Sequence, residues 1–251
     1  MFINPVARSP FLGVWNILRF NWHFYVLTLL SIISLFGISF FLEESWKPTI
    51  WLLVLLICLP LCISLIVSFY IYDCTNLYQL PWLPDLNEKR VLYVHAGFDE
   101  ISKQLRNQYP KMEFHICDFF DPNMCDEISI KRARKIYPID PKTIQIHAEK
   151  LPFAPNSFDI CVVFFAAHEL RKQEIRTKFL SELARVCKKD GFIYVTEHLR
   201  DWRNTLAYSI GVGHFYSRNT WLQQFRKSKL ILKQEVKTTP FVTTFILCPH
   251  D

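Results

Sequence analysis

Three stretches of the chain concentrate side chains able to move protons or hold anions. "AAHEL" supplies His168 and Glu169, "TEHLRDWRN" supplies Glu197, His198, Arg200, Asp201 and Arg203, and "GVGHFYSRNTW" supplies His214 and Tyr216. An imidazole titrates near neutrality, so it can take a proton from a reacting hydroxyl and return it. His198 is the first candidate, because it ends an apolar run and sits among charged neighbours; His168 and then His214 follow. Each of them singly reads as readily as a hydrogen-bonded loop residue or a helix cap. Arg200 and Arg203 suit an acidic or phenolate group, or anionic lipid heads.

These stretches sit in a pattern of alternating strands and helices that begins at residue 90, the signature of an α/β sheet. The strands read as "RVLYVHAG", "MEFHICD", "TIQIHA", "FDICVVFFA" and "FIYVTEH", and "KLILKQEV" with "FVTTFILC" reads as a closing antiparallel pair. The first helix carries Ile101, Leu105 and Tyr109 on one side, with Asp99 as its cap. A second, basic helix runs to about Tyr137, and "EIRTKFLSELARVCKK" forms a third that finishes with lysines and stops at Gly191. His198 and His168 thus follow strands five and four, on the carboxyl edge where ligands bind in open α/β folds.

Before residue 90 the composition changes. Residues 24–42 and 50–72 contain no charge, and each is long enough to cross roughly 30 Å of hydrocarbon. Trp22, Trp46, Trp51, Tyr70 and Tyr72 stand at their ends as interfacial residues do. Arg8 and Arg19 precede the first run, Lys89 and Arg90 follow the second, and the loop between is slightly acidic. The expectation is a two-helix transmembrane hairpin with both termini cytoplasmic, in a bacterial inner membrane. Four parts follow: an interfacial segment 1–21, the hairpin 22–72, a juxtamembrane linker 73–89 and a domain 90–251.

Net charge is +6, densest in "IKRARK" at 130–135. That tract lacks interleaved aromatics, so it reads as a solvated face or a contact to anionic lipid, and no nucleic-acid partner is expected. The eight cysteines are scattered without zinc spacing and read as reduced; no metal is expected.

The segments "LPFAPNSFDICVVFFAAHEL" and "FLSELARVCKKDGFIYVTEH" resemble those leading into strands four and five of class I S-adenosylmethionine (SAM) methyltransferases. The resemblance covers roughly residues 88–250. It implies a Rossmann-like, mostly parallel seven-stranded sheet with a closing antiparallel strand, and SAM as cofactor. The cofactor residues it implies are His95, Ala96, Gly97 and Asp99 after strand one, Asp118 and Phe119 after strand two, His147 and Ala148 after strand three, and Phe164 at the end of strand four. Asp118 stands where the family's ribose-binding acid belongs. The glycine-rich turn departs from the family: Tyr93 replaces an acid, His95 and Asp99 replace glycines, and His147 replaces an aspartate. SAM carries no phosphate, so a turn with Gly97 alone still suits it, and Asp99 or Glu100 would take its ammonium.

The expected activity is methylation of an amphiphilic, lipid-soluble acceptor of phenolic, quinone-like or polyene type, on oxygen or carbon. The apolar segment 203–217 is the expected lid, and membrane lipids are expected partners. The competing reading is a tethered interaction protein that keeps the fold and has lost the cofactor.

Overall fold

The computed structural model describes residues 9–122 and 127–250. Seven strands form one sheet in the order β3-β2-β1-β4-β5-β7-β6. They are β1 (Arg90–His95), β2 (Glu113–Asp118), β3 (Ile144–Gln145), β4 (Phe158–Phe164), β5 (Cys187–His198), β6 (Leu230–Thr239) and β7 (Val242–Pro249). The first five run parallel, and β7 lies antiparallel between β5 and β6. The order reverses direction between β1 and β4, which places the ligand crevice at their carboxyl ends. The central strands are apolar on both faces because both are covered.

One face packs on α6 (Gln173–Val186) and α8 (Arg218–Lys227), through Phe179, Leu183, Trp221 and Phe225. The other meets α4 (Ser102–Gln108) and the segment leading in from the apolar helices. Leu77, Leu80, Trp82 and Leu86 are buried there, so residues 77–86 are part of the core.

Two boundaries differ from the sequence expectation. α6 stops at Val186, and Lys188, Lys189 and Gly191 belong to β5 rather than to a helix end. Gly191 is required by close approach, since a Cβ there would meet the Asp159 carbonyl at 2.7 Å. The third strand shrinks to two residues, exposed at the sheet edge.

At the N-terminal end, α1 (Leu12–Phe20) leads into α2 (Trp22–Ser39), and α3 (Lys47–Phe69) ends in a π turn, Tyr70–Cys74. α2 and α3 are long and apolar enough to cross a membrane, with their apolar side chains turned outward. α3 starts earlier than expected because Pro48 fits a first helical turn, and Pro60 lies within it.

α5 (Ile128–Ile136) docks on α1 and the start of α2. Arg132 donates to the Phe20 carbonyl and pairs with His23, while Arg134 reaches Asp118. The basic tract is therefore not a solvated face: two of its arginines hold buried partners.

Asp73 accepts from the N–H groups of Gly13 and Val14 at 2.7 and 2.8 Å, tying the start of α1 to the end of α3. Asp73→Ala should cost about 1–2 kcal/mol. The expected readout is a lower melting temperature together with faster proteolysis within residues 9–21.

Candidate active site

A cavity of ≈ 1100 Å³ opens at the carboxyl edge of β1, β4 and β5. His168, His198 and His214 all line it. Its other walls are Asn16 and Phe20 of α1, Leu27 and Ser31 of α2, and Leu61 and Ser68 of α3. His168 and His214 come from separate connections and His198 from the end of β5, and the sheet brings them together as the strand order requires.

His198 ends β5 and is buried between the rings of Phe165 and Phe215, at centroid distances of 4.8 and 5.0 Å. Its Nδ1 lies 3.0 Å from the Phe241 carbonyl, which can only accept, so Nδ1 carries the proton. Nε2 is then the acceptor for the Tyr72 hydroxyl at 2.7 Å. Burial pushes the His198 imidazole down to about 4, so it is neutral at pH 7. Phe165 holds a left-handed backbone, φ 46°, which a bulky residue adopts only under constraint. That conformation places its ring over His198.

His168 differs in charge. Its Nδ1 lies 2.6 Å from Oε2 of Glu197, a fully buried residue, and its Nε2 lies 3.0 Å from Glu169 Oε1. Burial opposes a charge on His168, but the two carboxylates override it and lift it to about 10. His214 sits between Glu169 at 3.2 Å and Glu127 at 3.1 Å. Burial also opposes its charge, and the two carboxylates again prevail and raise it. A cationic His168 is a poor base, whereas neutral His198 has its Nε2 lone pair accepting from the Tyr72 hydroxyl.

The residues expected to hold the cofactor are divided. Ala96 lines the cavity. Gly97 holds φ 87°, and a Cβ there would meet Phe120 and Ile130 at 2.8 and 2.9 Å. Asp118 pairs with His95 across β1 and β2 and is fully buried. Its carboxylate accepts from Gly97 N–H and Phe120 N–H, each at 2.8 Å, and from Arg134. His95 is buried with neither ring nitrogen hydrogen-bonded among the described residues, and burial lowers it despite nearby Asp118. Asp99 accepts from Ile101 and Ser102 N–H, closing the turn into α4. Phe119 packs on Phe179, and Phe164 points to the opposite face beside Tyr78. His147 is exposed and bridges Lys150, while Ala148 is buried beside it. Glu100 lines the cavity and accepts from Tyr78.

Arg200 is spent on the carbonyls of Phe215 and Gly213, so it ties the 209–217 connection down. α7 (Trp202–Tyr208) packs on α3, with Trp202, Leu206 and Ile210 exposed. The sequence does not single out Tyr72, Tyr208, Glu127, Phe120 or Arg134 as site residues. Tyr72 carries a signal, as a hydroxyl at the end of an apolar run, but its proximity to His198 spans 126 residues.

Residues 92–195 match a family model described as a methyltransferase domain. A SAM-dependent methyltransferase from Aquifex aeolicus has a similar fold, with TM-score 0.53 and 16% identity over 75% of this chain and 97% of that one. A putative type 11 methyltransferase from Sulfolobus solfataricus is 14% identical, with TM-score 0.46 over 68% of this chain and 90% of that one. No curated protein is similar to the chain in sequence. The sheet order, the crevice between β1 and β4 and the matched segment agree: residues 92–195 resemble a methyltransferase domain, and the sheet has the fold of the Aquifex aeolicus protein.

Proposed function

We propose that the chain methylates a lipid-soluble acceptor at a membrane surface, a phenolic, quinone-like or polyene lipid that offers a hydroxyl or an activated ring carbon. One observation carries the proposal: a single cavity is walled by α2 and α3 on one side and by the edge bearing His198 on the other. An acceptor dissolved among apolar helices would reach the reacting edge without passing through water. The β5–β6 connection, packed on α3, serves as its lid.

The polar groups at the ends of β1 and β2 fit the cofactor. Buried His95 has two ring nitrogens without a hydrogen-bond partner among the described residues, beside the Asp118 carboxylate, and an apolar core does not explain that pair. Asp118 suits the ribose hydroxyls, and Gly97 and Glu100 suit the amino-acid end. α5 covers this floor, so entry requires Phe120, Ile130 and Arg134 to yield.

SAM supplies an electrophilic methyl group on sulfur when bound. The protein's contribution is position, dryness and proton handling. Phe165, Phe215 and Tyr208 pack around the His198 imidazole and exclude water from it. An acceptor hydroxyl that displaces the Tyr72 hydroxyl gives its proton to Nε2. Cationic His168 stabilises negative charge on an acceptor oxygen at the same wall.

Membranes containing the chain, incubated with methyl-labelled SAM, should place label in the lipid extract. Label confined to the macromolecular pellet, or equal in membranes lacking the chain, contradicts the proposal. The second reading, a tethered scaffold, draws on the closed contacts of Asp118 with Arg134 and of Gly97 with Phe120.

A further inference from the structure

We infer that His168, Glu169 and His214 form a binding site for a divalent first-row transition-metal ion in the cavity wall. One ligand atom from each lies within 4.8 Å of the other two. The two imidazoles present their Nε2 atoms to the same oxygen, Glu169 Oε1, at 3.0 and 3.2 Å. Ligand atoms about 2.0–2.2 Å from a shared ion stand roughly 3–3.5 Å apart, so the three need little movement to converge on one.

The other side of each ring strengthens the inference. His168 Nδ1 is held by Glu197 at 2.6 Å, and His214 Nδ1 by Glu127 at 3.1 Å. A carboxylate behind each imidazole fixes the ring and directs Nε2 forward, which is the usual outer arrangement of a metal-bound histidine. Glu197 is fully buried and also accepts from the His168 N–H at 3.2 Å, so its placement is rigid.

Three carboxylates, Glu127, Glu169 and Glu197, therefore crowd two imidazoles at the edge of an apolar cavity. The protons on the two imidazoles offset that charge in the metal-free chain; on binding a dication the rings release them and the ion takes their place. Arg171 is the local competitor: its guanidinium lies 2.6 Å from His214 Nε2, also contacts Nδ1, and donates to the His214 carbonyl at 2.7 Å, so the ion must displace it. It is exposed.

Two imidazoles and one carboxylate favour Zn²⁺, Fe²⁺ or Mn²⁺ over Ca²⁺ or Mg²⁺, which take oxygen ligands. With three protein ligands and the cavity in front, open coordination positions face the space assigned to the acceptor. The binding claim itself does not rest on the methyltransferase reading, because it is tested without SAM or acceptor.

The test uses the full chain purified in detergent, stripped with chelator and titrated with Co²⁺, followed by its visible d–d absorption. The expected result is saturation at one equivalent, with the bands displaced by Zn²⁺. Glu169→Gln and His214→Ala should each weaken binding at least tenfold. Glu197→Gln should weaken it about 10–100-fold by releasing the His168 ring. His214 lies on the rim of the cavity, so its variant keeps the core, and an unchanged melting profile of the apo-protein confirms that. Featureless Co²⁺ spectra, or equal binding by wild type and folded His214→Ala, overturn the inference.

Discussion

Asp118→Ala should melt about 10 °C below wild type and lose binding of S-adenosylhomocysteine altogether. The carboxylate is buried and accepts from two backbone N–H groups and from Arg134. Its removal strands two buried backbone donors and unpairs the half-buried Arg134, at a cost of about 3–5 kcal/mol. For a chain of this size each kcal/mol moves the midpoint by about 2–4 °C. The same oxygens are those assigned to the ribose. Arg134→Ala separates the two roles. It also destabilises, by about 2–3 kcal/mol, because a charge-assisted bond is lost. Yet it removes the competitor that a ribose must displace, so affinity for S-adenosylhomocysteine should rise. If α5 only braces the fold, Arg134→Ala will lower stability and affinity together.

His198→Gln should reduce kcat about 100-fold on a hydroxyl acceptor, with KM for SAM little changed. Of the three imidazoles lining the cavity among the described residues, the substitution removes the one that burial pushes below the usual histidine range. It should also alter the pH dependence of stability. The His198 imidazole sits at about 4 in the folded chain against 6.5 for a free histidine. Below pH 6.5 the unfolded chain takes up a proton there that the folded chain refuses. Its contribution to stability is thus whole above pH 6.5, falls as pH drops toward 4 and is lost below. The loss amounts to about 3 kcal/mol, since the two values lie more than two pH units apart and each is worth about 1.36 kcal/mol. Melting curves of wild type and His198→Gln between pH 7 and 4 should diverge by that amount, wild type falling the more steeply. Parallel curves would place His198 in contact with water.

The sheet was legible because its central strands are continuous apolar runs and its helices keep a four-residue spacing. The edge was not: Ile144–Gln145 lacks the buried partners that define a strand pattern. Gly191 misled because a glycine after lysines also marks a helix stop, whereas here it admits the Asp159 carbonyl. His168, His198 and His214 could be chosen singly by chemistry and by position after strands. Their charge states could not, because Glu197 against His168 and Phe165 against His198 are contacts between different strands. The closing of α5 over Asp118 was hidden for the same reason. "IKRARK" reads as surface, and only the docking of α5 on α1 turns Arg132 and Arg134 inward.

The most direct test of the central claim, that the ends of β1 and β2 still seat SAM, is calorimetric titration of the full chain in detergent with S-adenosylhomocysteine. Saturable one-to-one binding that disappears in a folded Asp118→Asn variant is the predicted result. No binding to the folded wild-type chain at millimolar ligand would contradict it and leave the tethered scaffold.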